Sequence, residues 1–460
     1  MMKLAGKKVL VAGLGKSGLA LAEFLVSRKA RVIISDSAPA EQLSEYLAAI
    51  ETLKLKSDLK IELGIHNPAS FNQADLIILS PGVPHTIKAV VKAKQRGVPV
   101  IGEIELASRF IHQPIIAVTG TNGKTTTTEL IGDMLKKSGL KVFVGGNIGR
   151  PLTGYVNKKQ IAQIIIAEVS SFQLDTISTF RPKIAVLLNI ARDHLNRYQD
   201  FKDYIYSKGK IFSNQQSTDT AIYNGEDQII LDLCRHIKSR KIPFFAGSVS
   251  KYQDKPYAVL ESSSLIIHHA PNQISEIDLA GCRLKGIHNL ENIAAASLAA
   301  LAAGASPDGI KAAVNSFQGG PHRLEDIAVI DQVRYINDSK ATNPAAVIRA
   351  LECFNQPVIL IMGGRNKGND FSDLKKAIHR FSKKVVVFGE ARQEIIKAIE
   401  DNHSIRAIAA DSMEDAVVKA SRLSLPGDVV LLSPACASFD MFDGYAQRGE
   451  AFNLAVEKLK

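Results

Sequence analysis

The strongest chemical signal in the chain is Val118-Thr119-Gly120-Thr121-Asn122-Gly123-Lys124-Thr125-Thr126. It follows an apolar run that opens at IIAVTG (115–120) and leads into a helical-period stretch, Thr125 to Lys137, stopped by Gly139. A glycine-rich turn between a strand and a helix points several backbone N–H groups at one spot. There they can cradle a phosphate, a lysine can neutralise it and a threonine hydroxyl can ligate Mg²⁺. Gly120, Thr121, Asn122, Gly123, Lys124, Thr125 and Thr126 are the candidate contacts. The general phosphate-loop pattern asks for glycine where Val118 stands, so the pattern fails by one residue. The plain alternative is a glycine-rich turn with an exposed lysine.

Glu168 closes the run QIIIAEV (163–169), ahead of Ser170, Ser171 and Phe172. A carboxylate at the carboxyl end of a strand is where such a protein places a Mg²⁺ ligand; the bland reading is a surface acid. Asp193-His194 follow the run KIAVLLNI (183–190), whose strand is expected beside that of Glu168. A lone histidine is more often structural than a ligand. Lys208, in YIYSKGKIF, reads as a solvated helix lysine. Asn289 and Asn292 open an Ala-rich helix three residues apart and so share a face, with N-capping the competing role for Asn289.

A second glycine motif, Gly13-Leu14-Gly15-Lys16-Ser17-Gly18, follows the strand KKVLVA, and Asp36 closes the next strand, RVIISD. This is a dinucleotide-type fingerprint, although any nucleotide diphosphate meets the same physical demand. Ser80-Pro81-Gly82 ends another strand of that sheet. Further on, Pro321-His322-Arg323, Asn337 to Pro344, Met362 to Gly368 and Ser433 to Asp440 form polar clusters, the last three at strand ends. Arg323, Lys340 and Lys367 in them suit carboxylates or phosphates.

The elements that must position these residues alternate. Short apolar runs (VLVAG, RVIISD, LIILSPG, VPVIG) and helical-period stretches fill the chain to about Gly102; a second series runs from 115, with short β-like pieces over 213–285. After the turn cluster Gly319-Gly320-Pro321 come VRYIND, PVILIMGG, KVVVFG, SIRAIAA and DVVLLSP. The expected class is α/β in three domains: Rossmann-like over 1–102, a central P-loop ATPase-like domain with a mostly parallel sheet over 103–319, and Rossmann-like again over 320–460. A length of 460 residues suits that number. Four cysteines without a C-x-x-C pair exclude a thiolate zinc site and a disulfide scaffold, and fit a reducing compartment. The net charge of +11 is spread without a basic run, so anionic small substrates explain it as well as nucleic acid does. No apolar stretch reaches membrane-span length and the N-terminus reads as a strand rather than a leader, so the expected compartment is the cytoplasm.

Taken together the motifs resemble the Mur ligase family, ATP-dependent amide-forming enzymes of peptidoglycan precursor synthesis. T-G-T-N-G-K-T-T (119–126), E-V-S-S-F-Q-L (168–174), D-H-L-N-R-Y (193–198), G-I-H-N-L-E-N (286–292), G-P-H-R (320–323) and N-D-S-K-A-T-N-P (337–344) match in order along essentially the whole chain. L-L-S-P-A-C-A-S-F-D (431–440) and G-G-R-N-K-G-N-D-F (363–371) are similar to the D-glutamate-adding branch, and the D-N-P-R motif of the branch that adds diaminopimelate or lysine is absent.

The resemblance implies that UDP-N-acetylmuramoyl-L-alanine is activated by ATP as an acyl phosphate and joined to D-glutamate by a monomer, with neither nucleic acid nor membrane involved. It implies catalytic roles for Lys124, His194, Lys208 and Lys340, and two Mg²⁺ ions on Thr125, Glu168, His194 and a carbamylated Lys208. ATP would meet Gly120 to Thr126, Asn289, Asn292, Arg323 and Asp338. The UDP-substrate would meet Gly15, Lys16, Ser17, Asp36, Ser37, Gly82, Asn147, Ser170 and His194. D-glutamate would meet His322, Thr342, Lys367, Ser438, Phe439 and Tyr445. Some relatives carry Arg two positions after the acid that matches Asp36, where this chain has Ala38. A nicotinamide oxidoreductase, a P-loop switch or nucleic-acid-stimulated ATPase, and a folylpolyglutamate synthase are the competing readings.

Overall fold

The computed structural model describes residues 2–54, 57–158, 160–246, 256–261, 264–270, 273–284, 286–400 and 406–460. Its strands fall into three sheets. The first holds β1 (Lys8–Ala12), β2 (Arg31–Ser35), β3 (Leu59–Glu62), β4 (Leu76–Leu79) and β5 (Val100–Gly102), all parallel in the order β3-β2-β1-β4-β5. Sequence reading passed over β3 because LKIE lies at the sheet edge, carries two charges and has no apolar run.

The second sheet holds β6 (Ile115–Thr119), β7 (Val142–Gly146), β8 (Ile164–Glu168), β9 (Ile184–Leu187), β10 (Thr220–Asn224), β11 (Arg240–Phe245), β12 (Tyr257–Glu261), β13 (Ser264–Ala270) and β14 (Gln273–Asp278). Its order is β14-β13-β12-β11-β10-β9-β6-β8-β7, parallel from β7 to β12 and antiparallel beyond. One expectation is corrected here: the strand before Asp193-His194 does not adjoin that of Glu168, because β6 lies between β8 and β9. The strand that feeds the glycine-rich loop therefore has both for neighbours.

The third sheet, β15 (Glu325–Ile330), β16 (Val333–Asn337), β17 (Val358–Gly363), β18 (Ser382–Phe388), β19 (Ala407–Ala409) and β20 (Val429–Ala435), runs β15-β16-β20-β17-β18-β19. Only the β15–β16 pair is antiparallel. Of the expected strand SIRAIAA, residues 404 and 405 lie outside the described residues.

The chain packs as two units: Met1–Ile190, Lys202–Gly281 and Glu291–Ser316 in one, and Ala191–Phe201, Cys282–Leu290 and Phe317–Lys460 in the other. Within the first unit, the helix Glu103–Ser108 joins the first two sheets through two buried glutamates. Burial opposes ionisation of Glu105. Three backbone N–H groups (Ser178, Thr179 and Phe180, at 2.8–2.9 Å), the Thr179 hydroxyl and Arg109 outweigh it and hold the carboxyl below its ordinary value. Glu103 accepts from the N–H and hydroxyl of Thr153, and burial outweighs these bonds and pushes its pKa up.

In the second unit the sheet is covered on both faces. Helices Pro344–Leu351, Leu374–Phe381 and Arg392–Ile399 pack on one side, and Met413–Leu423 and Tyr445–Glu457 on the other. Pro344 opens its helix at the position where its missing N–H costs nothing, and Asn343 caps that helix through Ala346 N (2.9 Å). Gly363 ends β17 at φ 137°, and a side chain there would run into the Phe388 carbonyl of β18. Gly363→Ala should therefore cost about 1–3 kcal/mol in backbone strain alone, seen as a lower denaturant midpoint; an unchanged midpoint contradicts this account.

Candidate functional site

The glycine-rich loop leaves β6 at Thr119 and enters the helix Lys124–Lys137 through Gly123, which sits at φ 84° in the left-handed region. A Cβ at Gly123 would overlap the Asn292 carboxamide, so only glycine admits this approach of loop to helix Ile287–Ala302. No side chain caps the helix start. Its first N–H groups and the positive end of its dipole are therefore directed at one place, an anion site by construction.

Lys124 Nζ curls back over the loop, donating to Gly120 O (2.9 Å) and Thr121 O (2.8 Å). Asn189 clamps the other side: its carbonyl groups accept from Thr121 N and Asn122 N (both 2.9 Å), and its Nδ2 donates to Asn122 O at 3.1 Å. Thr121 also meets the Tyr204 hydroxyl at 3.2 Å. Sequence reading missed Asn189 and Tyr204; the only signal for the first was its place at the end of an apolar run.

Glu168, only 2% exposed at the end of β8, accepts from Thr125 Oγ1 (2.7 Å) and from Asn147 Nδ2 (2.7 Å). The surface-acid reading is thereby set aside. The described residues give it no ion pair, so two neutral donors carry a buried carboxylate. Lys208 corrects another expectation. It is 1% exposed rather than solvated, its Nζ donating to Gly120 O at 2.7 Å and lying 4.7 Å from the centroid of the Tyr204 ring. Two ammonium groups thus share the carbonyl of Gly120.

Among the described residues no group of three His, Cys, Asp or Glu side chains could hold a metal ion by itself. The donors beside the loop are instead a carboxylate and a hydroxyl. That set fits Mg²⁺, which takes one or two carboxylates and completes its shell with water and phosphate oxygens. Lys208 as an ammonium cannot ligate a cation.

The first sheet has its own loop. Asp36 accepts from Leu14 N (2.6 Å) and Ala38 N (2.8 Å), and Ser80 Oγ donates to Gly13 O (2.8 Å). Asp36 thus braces the turn with both oxygens. Gly15 precedes the helix Lys16–Ser27, which no side chain caps; Lys16, Ser37 and Gly82 are exposed and Ser17 is half-buried. Asn147 is occupied with Glu168, and Ser170 forms a capping box with Gln173.

The second unit gathers the remaining candidates. His194 stands at φ 56°, its N–H held by Asp193 Oδ1 at 2.8 Å. Asn289 lies inside the first helical turn, donating its N–H to Gly286 O (3.0 Å), so the capping role is not the one it takes. His322 is buried at φ 62° with Asn337 Nδ2 3.0 Å from Nδ1, and its carbonyl accepts from Lys340 N. Lys340 Nζ sits 3.6 Å from the centroid of the Tyr445 ring. Arg323 and Thr342 are half-buried, Ser438 is buried and Phe439 is exposed. Lys367 Nζ lies 3.9 Å from Asp193.

Sequence reading also missed Arg448, which is fully buried. It donates to Ser339 Oγ (3.0 Å), Ser339 O (2.8 Å) and Cys436 O (3.0 Å), tying the loops after β16 and β20 together. Burial lowers its pKa to about 10, which leaves it charged at neutral pH. In YAQRGEAF it reads as an ordinary helix arginine.

Asp338 accepts from Ser433 Oγ at 2.9 Å, yet burial raises its pKa from 3.8 to about 7. The folded state thus binds the proton more tightly than the unfolded chain. The stability this contributes is complete below pH 3.8 and lost as pH rises through about 7. Asp338→Asn should flatten that part of the pH–stability curve; an unchanged slope would count against the burial account.

Comparison with known proteins bears on the whole chain. Residues 7–102 match the N-terminal domain model of the MurD-like Mur ligases, 118–300 the Mur ligase middle domain, and 322–436 the Mur ligase glutamate ligase domain. The UDP-N-acetylmuramoylalanine–D-glutamate ligase of Desulfosudis oleivorans is 51% identical over 99% of this chain and 97% of its own. That of Desulfatibacillum aliphaticivorans is 46% identical over the full length of both. In fold, the chain is similar to the Thermotoga maritima UDP-N-acetylmuramate-alanine ligase (TM-score 0.61, 20% identity, 99% of this chain and 100% of that one). It is equally similar to the MurF ligase of the same organism in complex with ADP (TM-score 0.61, 18% identity, 100% of both). With relatives this similar over their whole length and three family domains in order, the chain belongs to the Mur ligase family.

Proposed function

We propose that the chain is an ATP-dependent ligase that joins D-glutamate to UDP-N-acetylmuramoyl-L-alanine in peptidoglycan precursor synthesis. The observation that carries this reading is the uncapped helix start at Lys124 with the Thr125–Glu168 hydrogen bond at its foot, in a chain 51% identical over 99% of its length to an enzyme named for that reaction. The L-alanyl carboxylate attacks the γ-phosphate of ATP and ADP leaves. The amine of D-glutamate then attacks the acyl carbon of the resulting acyl phosphate, and inorganic phosphate leaves as the amide forms.

The chain's part in the first step is placement and charge. The N–H groups from Gly120 to Thr126 hold the phosphates, and Lys124 swings from the loop carbonyls onto them. Thr125 and Glu168 would hold Mg²⁺, which draws charge from the phosphate oxygens; His194 and a carbamylated Lys208 would support a second ion. Carbamylation suits Lys208 because CO₂ turns a buried cation, crowded with Lys124 on one carbonyl, into an anion. Asn289, Asn292, Arg323 and Asp338 meet the nucleotide. Lys340 stands by the transferred phosphate.

Gly15, Lys16, Ser17, Asp36, Ser37, Gly82, Asn147, Ser170 and His194 meet the UDP-substrate, and His322, Thr342, Lys367, Ser438, Phe439 and Tyr445 the amino acid. Residues 1–102 serve chiefly the UDP-substrate, 103–319 chiefly ATP and 320–460 chiefly the amino acid; the three sheets and the three matched segments support that division. The working unit is a single chain in the cytoplasm, where ATP is made. Among the described residues no helix is long and apolar enough to cross a membrane.

Lys124→Ala should abolish phosphate release from ATP in the presence of UDP-N-acetylmuramoyl-L-alanine and D-glutamate; near-normal turnover refutes the phosphate-loop role. In the same assay D-glutamate should support release where L-glutamate, L-alanine and diaminopimelate do not. Lys208→Ala should be inactive and regain activity with added short carboxylic acids, which replace the lost anion. Absence of rescue removes the case for carbamylation.

A further inference from the structure

We propose that Asp193 is a positioning residue for Lys367 and, through it, for the carboxylate of the incoming amino acid. This rests on the reading above that Lys367 holds that carboxylate. Asp193 is 4% exposed, and its two oxygens are committed in a definite way. Oδ1 accepts from His194 N at 2.8 Å, which fixes the turn in which His194 takes its left-handed conformation. Oδ2 accepts from Asn343 Nδ2 at 3.2 Å, and Asn343 is itself pinned as the cap of the helix Pro344–Leu351. The carboxylate is therefore immobile, and Lys367 Nζ stands 3.9 Å from it with only 17% of the side chain exposed.

That separation is longer than a hydrogen bond but short for two charges away from bulk water. Lysine carries its charge on a flexible four-carbon stem. A fixed anion at this range restricts the sweep of the ammonium without engaging its N–H groups, which stay available to a ligand. The backbone supports the same pairing: a Cβ at Gly368, beside Lys367, would stand 3.6 Å from Asn196 N, so the Lys367 loop rests on the turn that Asp193 begins. Every group in this arrangement belongs to the second unit.

The test is a double-mutant cycle by steady-state kinetics. Asp193→Asn, which keeps shape and loses charge, should raise KM for D-glutamate about tenfold, with kcat and KM for ATP changed less than about threefold. Lys367→Gln should raise KM for D-glutamate at least as much, and adding Asp193→Asn to it should do nothing further. Additive effects, or an Asp193→Asn effect on kcat alone, overturn the proposal, because the carboxylate then acts through His194 or through the fold. If Lys367→Gln leaves KM for D-glutamate unchanged, the underlying reading of Lys367 fails first. Should Asp193→Asn not fold, Asn343→Ser keeps a helix-cap oxygen but withdraws the amide from Asp193. It should raise the same KM in the wild-type background only, and a rise in the Lys367→Gln background too would overturn the proposal.

Discussion

A buried carboxylate held by neutral donors is the constraint around which the central site is arranged. Glu168 at the end of β8 draws the first helical turn towards it through Thr125, and the turn after β7 through Asn147. Three consecutive strands of the sheet, β6, β8 and β7, are thereby tied at their carboxyl ends. An ionised acid in such a place is costly unless a positive partner can be offered. The protein places it beside an uncapped helix start, where a metal bound with a polyphosphate is the natural partner.

Elsewhere acids take backbone N–H groups. Asp36 braces the turn after β1, Glu105 gathers the N–H groups of 178–180, and Asp193 sets the turn at His194. In each case the side chain replaces the hydrogen bonds that a loop cannot make to itself, and so gives a loop the definition of regular structure. Arg448 does the converse, donating to backbone carbonyls from inside the third sheet's strand-end loops. The chemistry lies on loops, and these charged side chains are what hold the loops in place.

Much of this was legible in the residues because it is local. The turn at Gly120–Gly123 and the helix after it are decided within a few positions by backbone freedom and by which N–H groups lack partners. Lys208 reads as solvated because helical spacing reports a face and not what covers it. Asn189, Tyr204 and Arg448 carry no local signal because their partners lie 67, 83 and 109 residues away. Chain order suggests that the strand before His194 adjoins β8, and does not reveal that the loop-bearing strand is inserted between them.

The sequence by itself therefore determined the alternation of strands and helices, the two glycine-rich loops and the class of ligand such loops suit. All of these follow from short-range periodicity and turn chemistry. Only the tertiary structure decided which carboxylate meets which hydroxyl, which lysine is buried and which asparagine clamps the loop. Those pairings depend on the order of strands in a sheet, and that order is set by packing among segments far apart in the chain.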